Sequence, residues 1–364
     1  MRARHIHNGK FIIATSLILG SCFSDAQRPP RPASGQIQRG GSPGGSARST
    51  LPTGKVTVKT IQYFSTLERG LAEAKRSNRP ILFVTGAPHC AGVSGMWCPG
   101  KGKIDEGYLT KPEIISAAER FVCIRLTSYE NAQEQAFVEK ITGVMLNTAF
   151  AVLNPDGTPA LQVRGNGRGP GDLFSSVGDM VNQMNVLANK FPATDAQGLP
   201  ALPITLSPKV GMAVAAADLQ PLVVIVSSSA ASRADIEAKV ARRSWSNDFK
   251  GQLCYASASS ISEIPQLRGE TLSEGILLIE PNFFGSGGDV VKKVATSVID
   301  TSLDQALRDV LANHVRVAKS RQELHRKGVE AGVYYETGIP VSGKRESQDR
   351  EKYKQQLDAK RKGG

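Results

Sequence analysis

The sequence predicts an α/β protein in which a mixed sheet with helices on both faces occurs twice in tandem. Apolar runs of strand length alternate with segments of helical periodicity from about residue 56 to residue 318. An Asn-Pro-Asp-Gly turn at 154–157 predicts a hairpin, and Glu-Pro-Asn at 280–282 occupies the corresponding place in the second half. The repeated order of elements favours duplication of one unit.

The first 26 residues are predicted to be an export signal. Basic residues precede an apolar stretch at 11–19 that is too short to anchor stably across a bilayer. Small residues up to Ala26 suit an ordinary signal peptidase, whereas Leu-Gly-Ser-Cys at 19–22 fits a lipobox that would leave Cys22 lipidated and membrane-attached. Either cleavage places the mature protein outside the cytoplasm, in the periplasm or cell envelope.

Basic charge is concentrated at the two ends of the chain. The net charge is +12, but residues 1–55 carry +7 and residues 315–364 carry +6, which leaves the middle nearly neutral. The basic ends lack the interleaved aromatic residues on which nucleic acid bases stack. The composition therefore argues against nucleic acid as a partner, and the expected partners are other exported proteins.

Segments with little to bury separate the predicted domains. Residues 27–55 are rich in Pro, Gly and Ser, which predicts a disordered linker. A Pro-rich linker at 192–208 joins the domains predicted at 56–191 and 209–318. The tail at 319–364 is polar and basic, and this composition predicts disorder there as well.

The first domain is predicted to begin with a helix and a buried strand. Ser-Thr-Leu-Glu at 65–68 predicts a helix start, and an apolar face with helical spacing extends to Asn78. The apolar run at 81–84 then predicts a buried strand. A second helix start at 110–113 precedes a predicted strand at 121–126.

The remaining elements continue the same alternation. In the first domain they are helices near 132–140 and 172–190 and strands at 149–153 and 160–164. In the second domain they are strands at 222–226, 252–256, 276–279 and 290–294, a helix opening at Ser232 and a helix at 302–317.

A loop with two cysteines comes after the first buried strand. Gly86 ends the strand, and His89, Cys90, Trp97 and Cys98 come before the second helix. A strand that leads into a cysteine near a helix start favours the thiolate, because a helix N-terminus carries partial positive charge. This loop is therefore the candidate chemical site.

These residues resemble the thioredoxin-like superfamily, especially its secreted bacterial members. In that family Trp-Cys-x-x-Cys follows a strand and precedes a segment similar to Tyr-Leu-Thr-Lys-Pro-Glu here. Counting back from Pro112 places the first family cysteine at Cys98 and the family tryptophan at Trp97. The resemblance covers about 56–190 well and about 215–318 weakly, and it implies tandem thioredoxin-like domains, the second of them degenerate.

The chain departs from the family pattern at three places. The second family cysteine falls on Lys101, and Thr148 occupies the position of the family's cis proline. Loss of proline there removes the residue type that makes a cis peptide bond inexpensive. An insertion of about nine residues at 87–95 brings in His89 and Cys90.

Two functions are implied by the resemblance. In the first, the protein is a thiol–disulfide oxidoreductase in which Cys98 attacks, Cys90 resolves the mixed disulfide and Lys101 stabilises the thiolate. In the second, catalysis is lost, a structural Cys90–Cys98 disulfide pins the loop, and the fold serves a binding or scaffold role. The second domain has serines at 227–229 in place of a cysteine loop, so it cannot perform exchange.

Other interpretations of the cysteines concern metal binding and packing. His89, Cys90 and Cys98 together offer the soft sulfur and imidazole ligands that suit copper or zinc, although no cofactor is otherwise expected. Cys123 and Cys254 lie within predicted strands, and we expect both to be buried core thiols.

Overall fold

The fold is described from a computed structural model that covers residues 60–97, 107–162, 167–194 and 198–363. The described residues all belong to one compact unit. The predicted signal with Cys22, the linker at 27–55 and the segment carrying Cys98 and Lys101 lie outside these ranges.

The first half builds a sheet in the order β4-β1-β5. Its elements are α1 (Leu67–Ser77), β1 (Ile81–Gly86), β2 (His89–Cys90), β3 (Val93–Ser94), α2 (Pro112–Ala118), β4 (Val122–Thr127), α3 (Ala132–Thr142), β5 (Phe150–Leu153) and α4 (Val177–Lys190). The central strand β1 pairs in parallel with β4 and antiparallel with β5. The short strands β2 and β3 form a separate hairpin within the predicted insertion.

The second half builds a sheet in the order β7-β6-β9-β10-β8. Its elements are α5 (Pro208–Asp218), β6 (Leu222–Val226), α6 (Ala230–Ser244), β7 (Cys254–Ala258), β8 (Leu267–Arg268), β9 (Gly275–Pro281), β10 (Gly288–Ala295) and α7 (Ile299–Asn313). The central strand β6 pairs in parallel with β7 and antiparallel with β9, as β1 pairs with β4 and β5. The predicted α/β class with mixed sheets is confirmed, and the two sheets share one pattern of pairing.

In each half, the same connection leads from a helix into the central strand. Asn78 and Leu219, which follow α1 and α5, both have left-handed backbone conformations with φ of 52° and 57°. Two residues later come Pro80 and Pro221, whose carbonyl oxygens accept hydrogen bonds of 2.9 and 3.0 Å from the first N–H of β4 and β7. A proline without its own N–H suits this place at the strand entrance.

Apolar side chains cover both faces of each sheet, because alternate residues of a strand point to opposite sides. Leu82 and Val84 of β1 face one cluster, and Phe83 packs in another on the opposite side. Val223 and Val224 of β6 divide in the same way between two clusters. The central strands are therefore continuous apolar runs in the sequence.

Several predicted boundaries are wrong. The first-half helix predicted from residue 172 begins only at Val177, because the Ser176 hydroxyl accepts a hydrogen bond from the Asp179 N–H and caps the helix there. The hairpin partner predicted at 160–164 forms no strand in its described part, 160–162, although the Ala160 N–H donates to the Val152 carbonyl at 2.9 Å. Helix α5 has no counterpart among the predicted elements.

The prediction of a disordered C-terminal tail is also wrong for residues 319–363. Two helices occupy this region, α8 (Arg321–Ala331) and α9 (Lys344–Gly363). Leu324, Tyr353 and Leu357 are at most 3% exposed because they pack against the cysteine hairpin. A few well-spaced apolar residues suffice here because the rest of the molecule supplies the other side of the core.

None of the helices among the described residues is long and apolar enough to cross a membrane.

Candidate functional site

The candidate site begins with the hairpin after β1. In this hairpin His89 pairs with Ser94 and Cys90 pairs with Val93. Gly92 at the turn has a φ of +96°, and a Cβ there would lie 2.8 Å from the ring of Tyr334, so the turn requires glycine. The tight turn directs the Cys90 side chain inward, where it is 0% exposed.

The C-terminal helices cover this hairpin. Cys90 and Val93 form one apolar cluster with Leu324 of α8 and with Tyr353 and Leu357 of α9. The backbone is joined as well, because the Tyr335 N–H donates to the Gly92 carbonyl at 2.8 Å. The tail is therefore an integral part of the environment of Cys90.

Arg350 of α9 holds the covering segment in place. Its guanidinium donates to the Tyr335 carbonyl at 2.8 Å and to the Tyr334 hydroxyl at 3.1 Å, and it lies over the Tyr334 ring at 5.1 Å. The same group donates to Nε2 of His89 at 3.2 Å. Arg350 is only 7% exposed, so one buried cation connects the tail to the cysteine hairpin.

His89 is held as a neutral imidazole. Burial, together with the positive charge of Arg350, lowers the pKa of His89 to about 3. Its Nε2 accepts from Arg350, which leaves only Nδ1 without a hydrogen-bond partner. Among the residues that the structure describes, no group of three or more His, Cys, Asp or Glu side chains is arranged to hold a metal ion.

Trp97, the residue before Cys98, faces the second half of the molecule. Its Nε1–H donates to Oδ1 of Asp218 at 2.6 Å, and the guanidinium of Arg125 lies 4.4 Å from its ring. Arg125 also forms an ion pair with Asp218. A strand residue of the first half, a helix residue of the second half and the loop tryptophan thus form one polar cluster between the two halves.

Thr148 comes just before β5 and next to Ala149, which bonds to the end of the central strand β1. The neighbouring Ala149 N–H donates to the Thr85 hydroxyl at 2.8 Å, and the Thr85 N–H donates to the Ala149 carbonyl at 2.9 Å. The Trp97 ring would lie 3.2 Å from a Cβ at Gly86, the last residue of the same strand. The structure therefore brings Trp97 and Thr148 to one strand end.

The predicted site residues fall into two groups with different surroundings. Trp97 and Thr148 lie at the end of β1 beside the second half, whereas His89 and Cys90 lie beneath the C-terminal helices. The partners of these groups, Asp218 and Arg350 in particular, were not predicted from the sequence.

Among the unpredicted partners of the site residues, Arg125 is the one whose importance could have been inferred from the sequence alone. It is a lone charge in the apolar strand β4, and a charge in a buried strand requires a partner. The sequence does not indicate which of the 33 acidic residues that partner is.

Cys123 and Cys254 are buried core thiols, as predicted. They are 4% and 7% exposed, and burial raises the pKa of each thiol to about 12. Neither forms a disulfide with the other or with Cys90. A thiol with such a pKa is not a nucleophile at neutral pH.

Comparison with models of known protein families found no match to this chain, and comparison with curated proteins found no relative.

Proposed function

We propose that this chain is an exported, thioredoxin-fold binding or scaffold protein of the cell envelope that no longer performs thiol–disulfide exchange. The burial of Cys90 carries this proposal. Exchange needs a second thiol that can reach the mixed disulfide, and Cys90 is enclosed between the hairpin and two helices. The environment of Cys90 suits a packing role.

The arrangement of the sheets supports the thioredoxin-like part of the proposal. A helix precedes β1, a parallel neighbour comes next through α2, and an antiparallel strand precedes the last helix of the half. This is the element order that the resemblance implies. The second half also places a helix before its central strand and pairs that strand with one parallel and one antiparallel neighbour, but it has no α-helix among the described residues between β7 and β9 and leads directly from β6 into α6 through three serines.

The environment of Trp97 also favours loss of exchange activity. The indole N–H and one ring face are occupied by Asp218 and Arg125. A tryptophan that presents a neighbouring cysteine to a protein substrate would need an accessible face. Here the ring joins the two halves of the molecule instead.

A second candidate function is thiol–disulfide exchange at Cys98. The location of Trp97 near Gly86 and of Thr148 next to Ala149, which bonds to Thr85, favours it, since these are the positions that the family places around its reactive cysteine. With Cys90 enclosed, such activity would require release of the C-terminal helices from the hairpin.

Disulfide reductase activity, assayed with the purified chain and a protein disulfide substrate, distinguishes these functions. We expect a rate no higher than that of the Cys98→Ser variant, and we expect Cys90→Ser to change stability rather than rate. Cys123→Ser is a matched control for replacing a buried thiol. Turnover that disappears in Cys98→Ser would refute the proposal and establish the oxidoreductase.

Attachment to the envelope is a separate part of the proposal. If the lipobox is used, the exported chain partitions with membranes and Cys22→Ser releases it into the soluble extracytoplasmic fraction. If Ala26 is the cleavage point, the wild-type chain is found in that soluble fraction as well.

A further inference from the structure

A cavity of about 320 Å³ lies between the two halves of the molecule. Trp97 and Leu109 of the first half contribute to its wall, and Val214 and Leu253 of the second half line the other side. Sites for small molecules range from roughly 300 to 1,000 Å³ and are mostly apolar with a few polar groups. The cavity is therefore large enough for a small organic ligand.

Arg316 contributes a cationic group to this cavity. It lies in the extended segment between α7 and α8 and is half-buried. It makes no hydrogen bond or ion pair with any residue that the structure describes. Burial lowers the pKa of Arg316, and the nearby Asp218 offsets this only in part. The guanidinium is thus partly desolvated and has no hydrogen-bonded or ion-paired partner among the described residues.

The neighbouring cations on the same segment show that this situation is specific to Arg316. Nδ1 of His314 lies 2.8 Å from Glu280, and its Nε2 lies 2.8 Å from the Leu219 carbonyl. Lys319 donates to three backbone carbonyls at 2.6 to 2.9 Å. His314 and Lys319, on either side of Arg316, therefore have hydrogen-bond partners within the protein. The guanidinium of Arg316 at the cavity remains available to a ligand.

The other charges of the cavity limit the chemistry of the ligand. Arg125 and Asp218 line the same cavity but neutralise each other as an ion pair. Among the described residues of the wall, Arg316 therefore supplies one positive charge without an ion-paired carboxylate. A ligand with one negative charge would match this single guanidinium, whereas a cation would find no unpaired carboxylate among the described residues of the wall.

We propose that the cavity binds a small organic monoanion, a carboxylate or sulfonate with an apolar body, whose acid group pairs with the guanidinium of Arg316. The planar guanidinium can bind both oxygens of such a group, which makes this pairing strong and directional. The apolar body would contact Trp97, Leu109 and Val214. This inference goes beyond the proposed function and does not depend on the state of the cysteines.

Octanoate, octylamine and octanol test the proposal as probes that share a chain length and differ in charge. The full chain contains two tryptophans, so Trp245→Phe leaves Trp97 as the reporter of the cavity wall. We expect octanoate to change the Trp97 emission saturably and to bind at least about tenfold more tightly than octylamine, because a carboxylate can accept charged hydrogen bonds from Arg316 and an ammonium group cannot.

The variant Arg316→Gln keeps much of the length and polarity of the side chain but removes its charge. It should weaken octanoate binding about tenfold or more and leave octanol binding nearly unchanged. Arg326→Gln is the matched control, because Arg326 is 61% exposed on α8 and pairs with Glu330 outside the cavity. Calorimetric titration of the unmodified chain checks that the reporter variant behaves as the parent does.

Equal binding of octanoate to the parent and to Arg316→Gln would overturn the proposal, as would equal affinity for octanoate and octylamine. If Arg316→Gln does not fold, Ala217→Leu provides a second test, because Ala217 lines the cavity and a larger side chain occupies its volume. Unchanged octanoate binding to a folded Ala217→Leu chain would equally refute it.

Discussion

The two halves of the molecule share a frame, which consists of a central strand, the helix before it, one parallel neighbour strand and one antiparallel neighbour strand. They differ in the segment that follows the central strand. In both, a residue preceding the helix pairs with the parallel neighbour strand: Phe64 with Ile124, and Ile204 with Tyr255. After β6 the chain enters α6 at once, with Ser229 as its cap. After β1 it forms the cysteine hairpin, which the C-terminal helices then cover. The same frame therefore accommodates either the short serine segment or the cysteine hairpin, and only the hairpin is covered by the C-terminal helices.

The same register position carries a polar residue in both parallel neighbour strands. Arg125 of β4 stands opposite Val84, and Ser257 of β7 stands opposite Ile225. Arg125 pairs with Asp218 of the other half, while Ser257 donates to Glu237, which in turn pairs with Arg69 of the first half. Each half thus uses this position to reach an ion pair between the halves, and the two pairs differ in burial.

Breaking the more buried of these ion pairs should have the largest effect. Asp218→Ala leaves Arg125 without its partner, and we expect the free energy of unfolding to fall by about 3–5 kcal/mol. Glu237→Ala breaks the more exposed pair and should cost about 1 kcal/mol or less. Urea denaturation of both variants gives the comparison.

A double variant separates the loss of the pair from the cost of an unpaired charge. Arg125→Met with Asp218→Leu replaces the pair by apolar side chains and should recover most of the stability lost in Asp218→Ala. Equal losses in the single and double variants would show that Trp97, not charge pairing, accounts for the effect.

Removing the cation that fastens the tail should have the next largest effect. Arg350→Ala loses the hydrogen bonds to Tyr335, Tyr334 and His89, and we expect a loss of about 2–3 kcal/mol. The amide of Tyr335, which bonds to Gly92, should lose protection in hydrogen exchange. Arg361→Ala is the control because Arg361 is 68% exposed, and its removal should change neither measurement.

His89 and His314 predict opposite dependences of stability on pH. Folded His89 has a pKa of about 3, so the unfolded chain binds more protons between pH 3 and about 6.5. Stability therefore falls as the pH drops below about 6.5, by about 2 kcal/mol at pH 5 from this group. His89→Gln should remove this slope in denaturation experiments at a series of pH values.

His314 serves as the matched comparison. Burial acts to lower the pKa of His314, but its hydrogen bonds to Glu280 and to the Leu219 carbonyl outweigh this and raise it. Its contribution to stability is complete below about pH 6.5 and is lost as the pH rises through the folded value. His314→Gln should change the curve only on the neutral and alkaline side. Identical pH curves for the two variants would contradict both assignments.

Substitution of Asn78 or Leu219, the residues with left-handed backbone conformation before each central strand, should change stability least. Asparagine tolerates this conformation better than leucine does, so Asn78→Leu should destabilise by about 1 kcal/mol and Leu219→Asn should stabilise by about 0.5 kcal/mol. Thermal unfolding of both variants is sufficient. The same sign of change in both would mean that the side-chain contacts decide these positions.

Local pattern predicts the frame and misses the contacts that depend on distant parts of the chain. The strand at 222–226 is predicted to the residue, because an unbroken apolar run identifies a strand buried on both faces. The tail is missed because Leu324, Tyr353 and Leu357 are scattered among charges. Nothing local indicates that their partners are Cys90 and Val93.

The site is predictable only in part for the same reason. Trp97 is indicated by its neighbour Cys98, yet its contacts with Arg125 and Asp218 arise only when the two halves pack together. The sequence offers His89 as a metal ligand, whereas its buried position beside Arg350 depends on a helix from the opposite end of the chain.

The ammonium group of Lys319 joins three separate parts of the fold. It donates to the carbonyls of Gly95, Ala216 and Phe283, which belong to the cysteine hairpin, to α5 and to the turn after β9. The native position of Lys319 therefore depends on contacts with both halves of the molecule, which joins the start of the tail to the rest of the fold. Resistance of the tail to proteolysis would thus report whether these contacts between the tail and both halves are intact.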